Sequence, residues 1–238
     1  MILVLCADLN EIEGAVLELV PQRKGHVDDI VYVEGWIGGK QVVLCSSGIG
    51  IKRAREAAEL LIRKFTPELI VSAGFGSALS PILRVGEIVL GEYVISRMKK
   101  ARKPLHRVDV PIQAEFISGG ILTENRFIHS PEEKRVLYEE TGALCVDMES
   151  WGIAEAAEDV GVPVLSIRAI SDEASHSLPP LGGTSSQVGV MDREAVSFFL
   201  FDPWAKYPYA RLRAVNLPKT SKSLSRFLRA LILNLSRP

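Results

Sequence analysis

Acidic side chains placed just beyond apolar runs are the first candidates for chemistry in this sequence. Glu11 follows Ile2–Cys6 in the segment ADLNE, Glu149 follows Leu144–Asp147 in VDMES, and Asp172 closes Val162–Ile170 in RAISDEA. Two Gly-rich segments, SSGIG after Leu44 and SAGFGSALS after Ile70, stand in comparable places. In open α/β sheets ligands bind beyond the strand ends, so these five segments are the natural lining of a site. Carboxyl groups held in different environments can divide acid and base work between them. Glycines ahead of a helix can offer backbone N–H groups to an anion. Each feature also has a plain structural reading. Asp172 can cap a helix, Glu149 and Glu11 can be first-turn acids favoured by the helix dipole, and Phe127 can be a core residue. Glu13 lies close enough to compete with Glu11. SAGFG lacks the third glycine and the distant acid of a dinucleotide fingerprint.

The elements that must position these residues follow from apolar periodicity. Ile2–Cys6, Leu69–Ala73, Leu144–Asp147 and Val162–Ile170 read as buried strands. Ile30–Glu34 and Gln41–Cys45 read as strands joined by a turn at Gly38-Gly39. Glu87–Leu90 and Tyr93–Ser96 read as two further strands. Alanines at 54, 57 and 58 with Leu61 predict a helix from Lys52, ended by Pro67. Ser130 is the expected N-cap of a helix over Pro131–Glu140. A third helix carries Ile153, Ala156, Ala157 and Val160 on its buried face. Asp192–Leu200 reads as helical, and Ser221–Leu235 as an amphipathic helix. Strands alternating with helices imply an α/β fold, a single-domain three-layer αβα sandwich with a mixed central sheet.

The chain has 238 residues, 28 Lys+Arg against 29 Asp+Glu, and 47% apolar residues, enough for one domain with a substantial core. That balance excludes a disordered chain or a disulfide-stapled peptide. No apolar run reaches the ~20 residues of a membrane span, and the start has no signal-peptide pattern. Cys6, Cys45 and Cys145 read as buried thiols of a reducing cytoplasm, and neither they nor the four His show metal-ligand spacing. No metal and no organic cofactor is expected. Charge is uneven. From about residue 203 the chain holds eight Lys and Arg and no acid. A second basic cluster, RMKKARKPLHR, spans Arg97–Arg107. Such blocks favour anionic surfaces.

Taken in order, ADLNE, SSGIG, SAGFGSAL with RVGEIVL, the Phe127-Ile128 pair and VDMES…RAISDEA resemble the purine and uridine phosphorylase superfamily over roughly residues 1–175. The pattern most resembles its nucleosidase branch, which cleaves methylthioadenosine and adenosylhomocysteine. The segment from TGALCVDMES to the SDEA–LPP loop also resembles a hopanoid-associated branch acting on an adenosyl-hopane precursor. The resemblance implies that Glu149 accepts hydrogen bonds from the ribose hydroxyls, with Met148 packed on the sugar. It implies that Asp172 protonates the imidazole-side nitrogen of the departing purine, and that Glu11 activates water. Phe127 stacks on the base with Ile128 beside it, Phe75 and Gly76 line base and sugar, and Ile49 borders the ribose. The mechanism asks Asp172 to hold a proton near neutrality through burial and Glu149 to remain ionised.

Phosphorylases of this superfamily bring arginines from the loop after the first strand and from the strand before the Gly-rich segment. Here those places hold ADLNE and Ser72, which favours water over phosphate. Arg53 or the Arg97–Arg107 loop remain alternative phosphate ligands, and a nucleoside-binding protein without turnover is a third reading. The expected partners are a small nucleoside and further copies of the chain, with no nucleic acid. An anionic membrane is a further candidate, touched peripherally through loop 97–107 and the last helix, though the favoured reading of that helix is that its apolar face packs on the sheet.

Overall fold

In the computed structural model, residues 1–107, 114–178 and 211–235 are described. The strands are β1 (Ile2–Cys6), β2 (Val20–Val27), β3 (Ile30–Ile37), β4 (Lys40–Ser46), β5 (Leu69–Ala78), β6 (Ile88–Ser96), β7 (Ala101–Pro104), β8 (Ile117–Thr123), β9 (Cys145–Asp147) and β10 (Val164–Asp172). Among the described residues the helices are α1 (Glu13–Glu18), α2 (Ile51–Phe65), α3 (Pro131–Thr141), α4 (Ser150–Glu158) and α5 (Leu217–Asn234).

All strands belong to one mixed sheet in the order β10-β6-β8-β9-β5-β1-β4-β3-β2, with β7 attached to β6. The expected mixed sheet flanked by helices is present. Strand β10 also pairs with β5, so β5, β9, β8, β6 and β10 curl round on themselves. On one side α5 and Ala15 of α1 join β1, β4 and β5 in a core containing Leu224, Phe227, Leu228 and Leu231. On the other, α2 and α4 pack Ala54, Ala58, Leu61 and Ala157 against Leu3, Leu5 and Val43. Small alanines let these two helices approach the sheet and each other closely.

Several elements differ from their expected form. Strand β2 carries Pro21 and a polar run, which an apolar pattern does not reveal; it tolerates them because it is an edge strand. The two expected strands around Gly91 are one strand, β6, kinked by a bulge between Gly91 and Tyr93. Part of the basic loop is strand β7. Strand β5 does not stop at Ala73 but runs on through the Gly-rich segment to Ala78. Val160 lies beyond α4 and is exposed. The expected helix over Asp192–Leu200 lies outside the described residues.

The last helix is amphipathic as expected, but its apolar face is not free. Leu224, Phe227, Leu228, Leu231 and Ile232 are all buried in the core. An insertion of that face into a membrane is therefore ruled out while the fold is intact. Three of the six Lys and Arg of the basic loop are paired with carboxylates, while Lys99 and Lys100 are exposed. Arg97 pairs with Glu124 and Glu140, Lys103 with Glu158, Arg107 with Glu92, and Arg102 stacks on Tyr93. Among the described residues no helix is long and apolar enough to cross a membrane.

Leu228→Ala should cost about 2–5 kcal/mol in chemical denaturation, the usual range for truncating a fully buried leucine. A cost under about 1 kcal/mol would mean that α5 is not part of the core.

Candidate active site

The site is built on the stretch of β5 from Gly74 to Ser77. Ser77 lies opposite Asp172 of β10 on one side and Val146 of β9 on the other. The Phe75 N–H donates to Glu11 Oε1 at 3.3 Å, and the Ser77 hydroxyl donates to Asp172 Oδ2 at 2.6 Å. Two residues along a strand span about 7 Å, which is the separation this register sets between the levels of Glu11 and Asp172.

Glu11 is placed by local chemistry. Asp8 caps the short 3₁₀ turn Leu9–Ile12, accepting from the Asn10 N–H, and Glu11 completes the reciprocal capping box. Its Oε2 accepts from the N–H groups of Ala7 and Asp8 at 3.1 and 3.4 Å. Glu13, the sequence competitor, is exposed on α1. Gly74 lies between Glu11 and the guanidinium of Arg168: a Cβ there would come within 3.4 Å of Glu11 Oε2 and 3.8 Å of Arg168 Cζ.

Glu149 occupies the N-cap position of α4 but does not cap it. Its Oε1 instead accepts from the Gly50 N–H at 3.1 Å, ahead of α2. The anion that SSGIG was suited to hold is thus the protein's own carboxylate. Gly50 sits at φ +100°, a conformation that other residues rarely adopt. Met148 and Ile49, each adjacent to this contact, are half-buried. Phe127 is partly exposed in the β8–α3 connection. Asn125 Oδ1 of that connection lies 3.3 Å from where a Gly50 Cβ would stand, which brings the segment alongside Glu149. Ile128 differs from its expected role. Its side chain is buried with Leu79, Leu122, Leu137 and Val146, so only its backbone is left to face a ligand.

Sequence reading missed the cation that organises these acids. Arg168 is buried at 1% exposure, and its Nε and Nη2 reach Asp147 Oδ2 at 2.7 and 2.6 Å. It also donates to the Ser72 carbonyl and to the hydroxyls of Ser72 and Ser150. The signal was present: one arginine inside the otherwise apolar run VLSIRAI must be paired if the strand is buried. Asp147 accepts a further bond from Thr123 and one from the Ser150 N–H.

Electrostatics separate the acids, though not as expected. Burial pushes the Glu11 carboxyl up to about 7, against the opposing pull of Arg168 and three backbone N–H groups. Burial first, and then the neighbouring Asp147 charge, raises the Glu149 carboxyl above its ordinary range, where full ionisation was expected. Asp172 departs further. It is 1% exposed, but Lys134 Nζ, with no exposure, donates to its Oδ2 at 2.5 Å, and the Ser171 hydroxyl donates to Oδ1 at 2.7 Å. Asp172 is thus paired with a buried ammonium and is not the isolated buried acid that the sequence suggests.

A mixed α/β fold with buried acids gathered at strand ends and no described side-chain group placed to hold a metal ion is the class that the geometry defines. The comparisons carry the assignment further. The phosphorylase superfamily matches residues 1–112 and 97–181. The chain belongs to that superfamily. It is 30% identical over 181 residues to the 5'-methylthioadenosine/S-adenosylhomocysteine nucleosidase of Shewanella oneidensis, covering 64% of this chain and 75% of the relative. It is 29% identical over 195 residues to the nucleosidase of the same name from Staphylococcus epidermidis, covering 68% and 85%. Among solved structures, the nucleosidase of S. pneumoniae with a transition-state inhibitor superposes at a TM-score of 0.74, with 20% identity and 99% of both chains covered. Futalosine hydrolase of Helicobacter pylori superposes at 0.70, with 19% identity and 98% and 97% covered.

Glu11 binds its proton more tightly folded than its ordinary value of 4.5 allows. Its contribution to stability is therefore complete below about pH 4.5 and lost as pH rises through about 7. The drop in urea midpoint between pH 5 and 8 should be smaller in Glu11→Gln than in the wild type. An equal drop in both would show that Glu11 does not titrate there.

Proposed function

We propose that this protein is an N-ribosyl hydrolase that releases the base from an adenine nucleoside modified at the 5' position. The observation that carries the reading is the placement of acids at two levels of β5. Glu11 is bonded to Phe75, and Asp172 is bonded to Ser77 about 7 Å further on. Glu149 reaches the same region from Gly50 and feels the charges of Glu11 and Arg168. Breaking an N-ribosidic bond builds positive charge on the sugar and negative charge on the base. Anionic groups at the sugar level and a proton donor at the base level meet both demands. This parallels the two-carboxyl logic of glycosidases.

Glu149 then receives the ribose hydroxyls, with Met148 and Ile49 beside the sugar and the Phe75–Gly76 backbone between sugar and base. Phe127 covers the base, and the backbone of Ile128 borders it. Glu11, with its pKa about 7, takes a proton from the attacking water. The relatives named above support an adenine nucleoside carrying a methylthio or homocysteinyl group, and an adenosyl-hopane type of substrate remains in the same class. The Pro residues expected to shape the wall for that group lie outside the described residues.

Hydrolysis is favoured over phosphorolysis because most of the candidate phosphate ligands are committed elsewhere. Arg53 pairs with Asp29, Arg97, Lys103 and Arg107 of loop 97–107 pair with carboxylates while Lys99 and Lys100 are exposed, and Arg168 is saturated by Asp147 and Ser72. A phosphate dianion in a buried site without a free cation is costly. We further propose a cytoplasmic location, in line with three buried free thiols, and a homo-oligomer, which the family resemblance alone suggests. Any contact with an anionic membrane would rest on charge alone, through exposed Lys219, Lys222 and Arg226.

Purified protein should release adenine from methylthioadenosine or adenosylhomocysteine equally well with and without phosphate, and less readily release hypoxanthine from inosine. Release that requires phosphate would make it a phosphorylase; binding without release would make it a sensor. Asp172→Asn should lower kcat by ~10²–10⁴-fold with binding largely kept. Unchanged turnover would remove Asp172 from the mechanism.

A further inference from the structure

Helix α3 brings to the site one residue that its sequence context does not single out. Lys134 sits in PEEKRVLYEET, a polar helix on which a lysine would ordinarily be solvated. Its side chain instead turns inward and has no exposure. All three of its ammonium protons are spoken for: Asp172 Oδ2 at 2.5 Å, the Glu173 carbonyl at 3.0 Å and the His176 carbonyl at 3.0 Å. Burying a lysine without a counter-charge is strongly unfavourable. Here the counter-charge is the residue proposed to protonate the base.

We infer that Lys134 is the positioning residue that holds the proton for Asp172, so that base departure draws on a Lys134–Asp172 pair and not on a free carboxylic acid. This rests on the nucleosidase reading above and deepens it. In the resting pair the mobile proton is on Nζ and Asp172 is a carboxylate. As the C–N bond lengthens, the bond electrons pass to the purine. The Nζ–H proton moves to the Asp172 carboxyl, and the carboxyl proton moves to the purine's imidazole-side nitrogen. Lys134 is left as a neutral amine and Asp172 is again a carboxylate. Water adds to the sugar carbon, and its released proton goes to Glu11 and then to solvent. Lys134 takes a proton back from solvent after the base leaves, and the balance closes on nucleoside plus water giving ribose plus base.

The contacts support a delivery role in a second way. The two carbonyls that Lys134 grips belong to the segment directly after Asp172, and the Leu178 N–H of that segment donates to the His129 carbonyl beside Phe127. One side chain therefore fixes both the orientation of the acid and the chain that leaves it. Ser77 donates to Oδ2 and Ser171 to Oδ1, so the group cannot turn away when the proton moves, and one lone pair of Oδ1 is left to face the purine.

The test compares Lys134→Met and Lys134→Arg in the wild-type and Asp172→Asn backgrounds. With methylthioadenosine, Lys134→Met should lower kcat by ~10²-fold or more with KM changed less than about 3-fold. Lys134→Arg keeps a positive charge but cannot surrender its proton, so it should stay impaired by at least about 10-fold. In the Asp172→Asn background, Lys134→Met should cost less than about 3-fold more. Unchanged kcat, full rescue by Arg, or an equal loss in both backgrounds would each overturn the inference, the last by showing a purely architectural role. Infrared difference spectra against Asp172→Asn need no turnover. They should show an ionised Asp172 in the wild type and a protonated one in Lys134→Met. A protonated Asp172 in the resting wild type would defeat the inference even if nucleosidase activity is confirmed. Activity that survives Asp172→Asn would instead defeat the underlying reading and leave the pair a structural one.

Discussion

A guanidinium buried without water must be answered by negative charge, and that requirement at Arg168 shapes the centre of this protein. Asp147 answers it directly, accepting one hydrogen bond from Nε and lying in ion-pair contact with Nη2, and Ser72, Ser150 and the Ile167 carbonyl accept the rest. Because Asp147 ends β9 and Arg168 lies within β10, the pair ties together strands on either side of β5. It also sets a fixed positive field beside Glu11 and Glu149, opposing the burial that would otherwise neutralise both acids. Removing either partner of the pair would leave a bare charge inside the sheet.

The acids around this centre are kept apart by environment. Glu11 rests on backbone N–H groups and sits near neutrality, a suitable state for a base towards water. Glu149 takes the backbone N–H of Gly50, so the N-terminal approach to α2 serves an internal carboxylate. Asp172 is the acid with its own ammonium. Three similar side chains are thus given three different counter-partners: backbone dipoles, a single glycine amide shared with Arg168's field, and a lysine.

Much of this was legible in the sequence. Continuous apolar runs located β1, β5, β9 and β10, and the polar residues at their ends include Glu11, Glu149 and Asp172. Ser130 capped α3 as its type and position implied. What the sequence could not show was how side chains pair across elements. Lys134 looks like any solvated helix lysine, since its burial depends on α3 lying over the end of β10. Ile128 reads as a neighbour of Phe127, but the two diverge, one into the core and one toward solvent. The polar edge strand β2 carries no apolar alternation, and the glycines of SAGFG, which read as a segment beyond the strand, instead let β5 pass close to Glu11 and Arg168. In the last helix, periodicity identified the apolar face but not whether sheet or membrane would cover it.

The placement of the acids on either side of a nucleoside is the central claim, and a crystal structure with a methylthioadenosine analogue tests it most directly. Ribose hydroxyls should lie on Glu149, the imidazole-side nitrogen of the base should face Asp172 with Lys134 behind it, and a water or its mimic should sit at Glu11. An analogue bound away from β5, or oriented with its base toward Glu11 and its sugar toward Asp172, would contradict it.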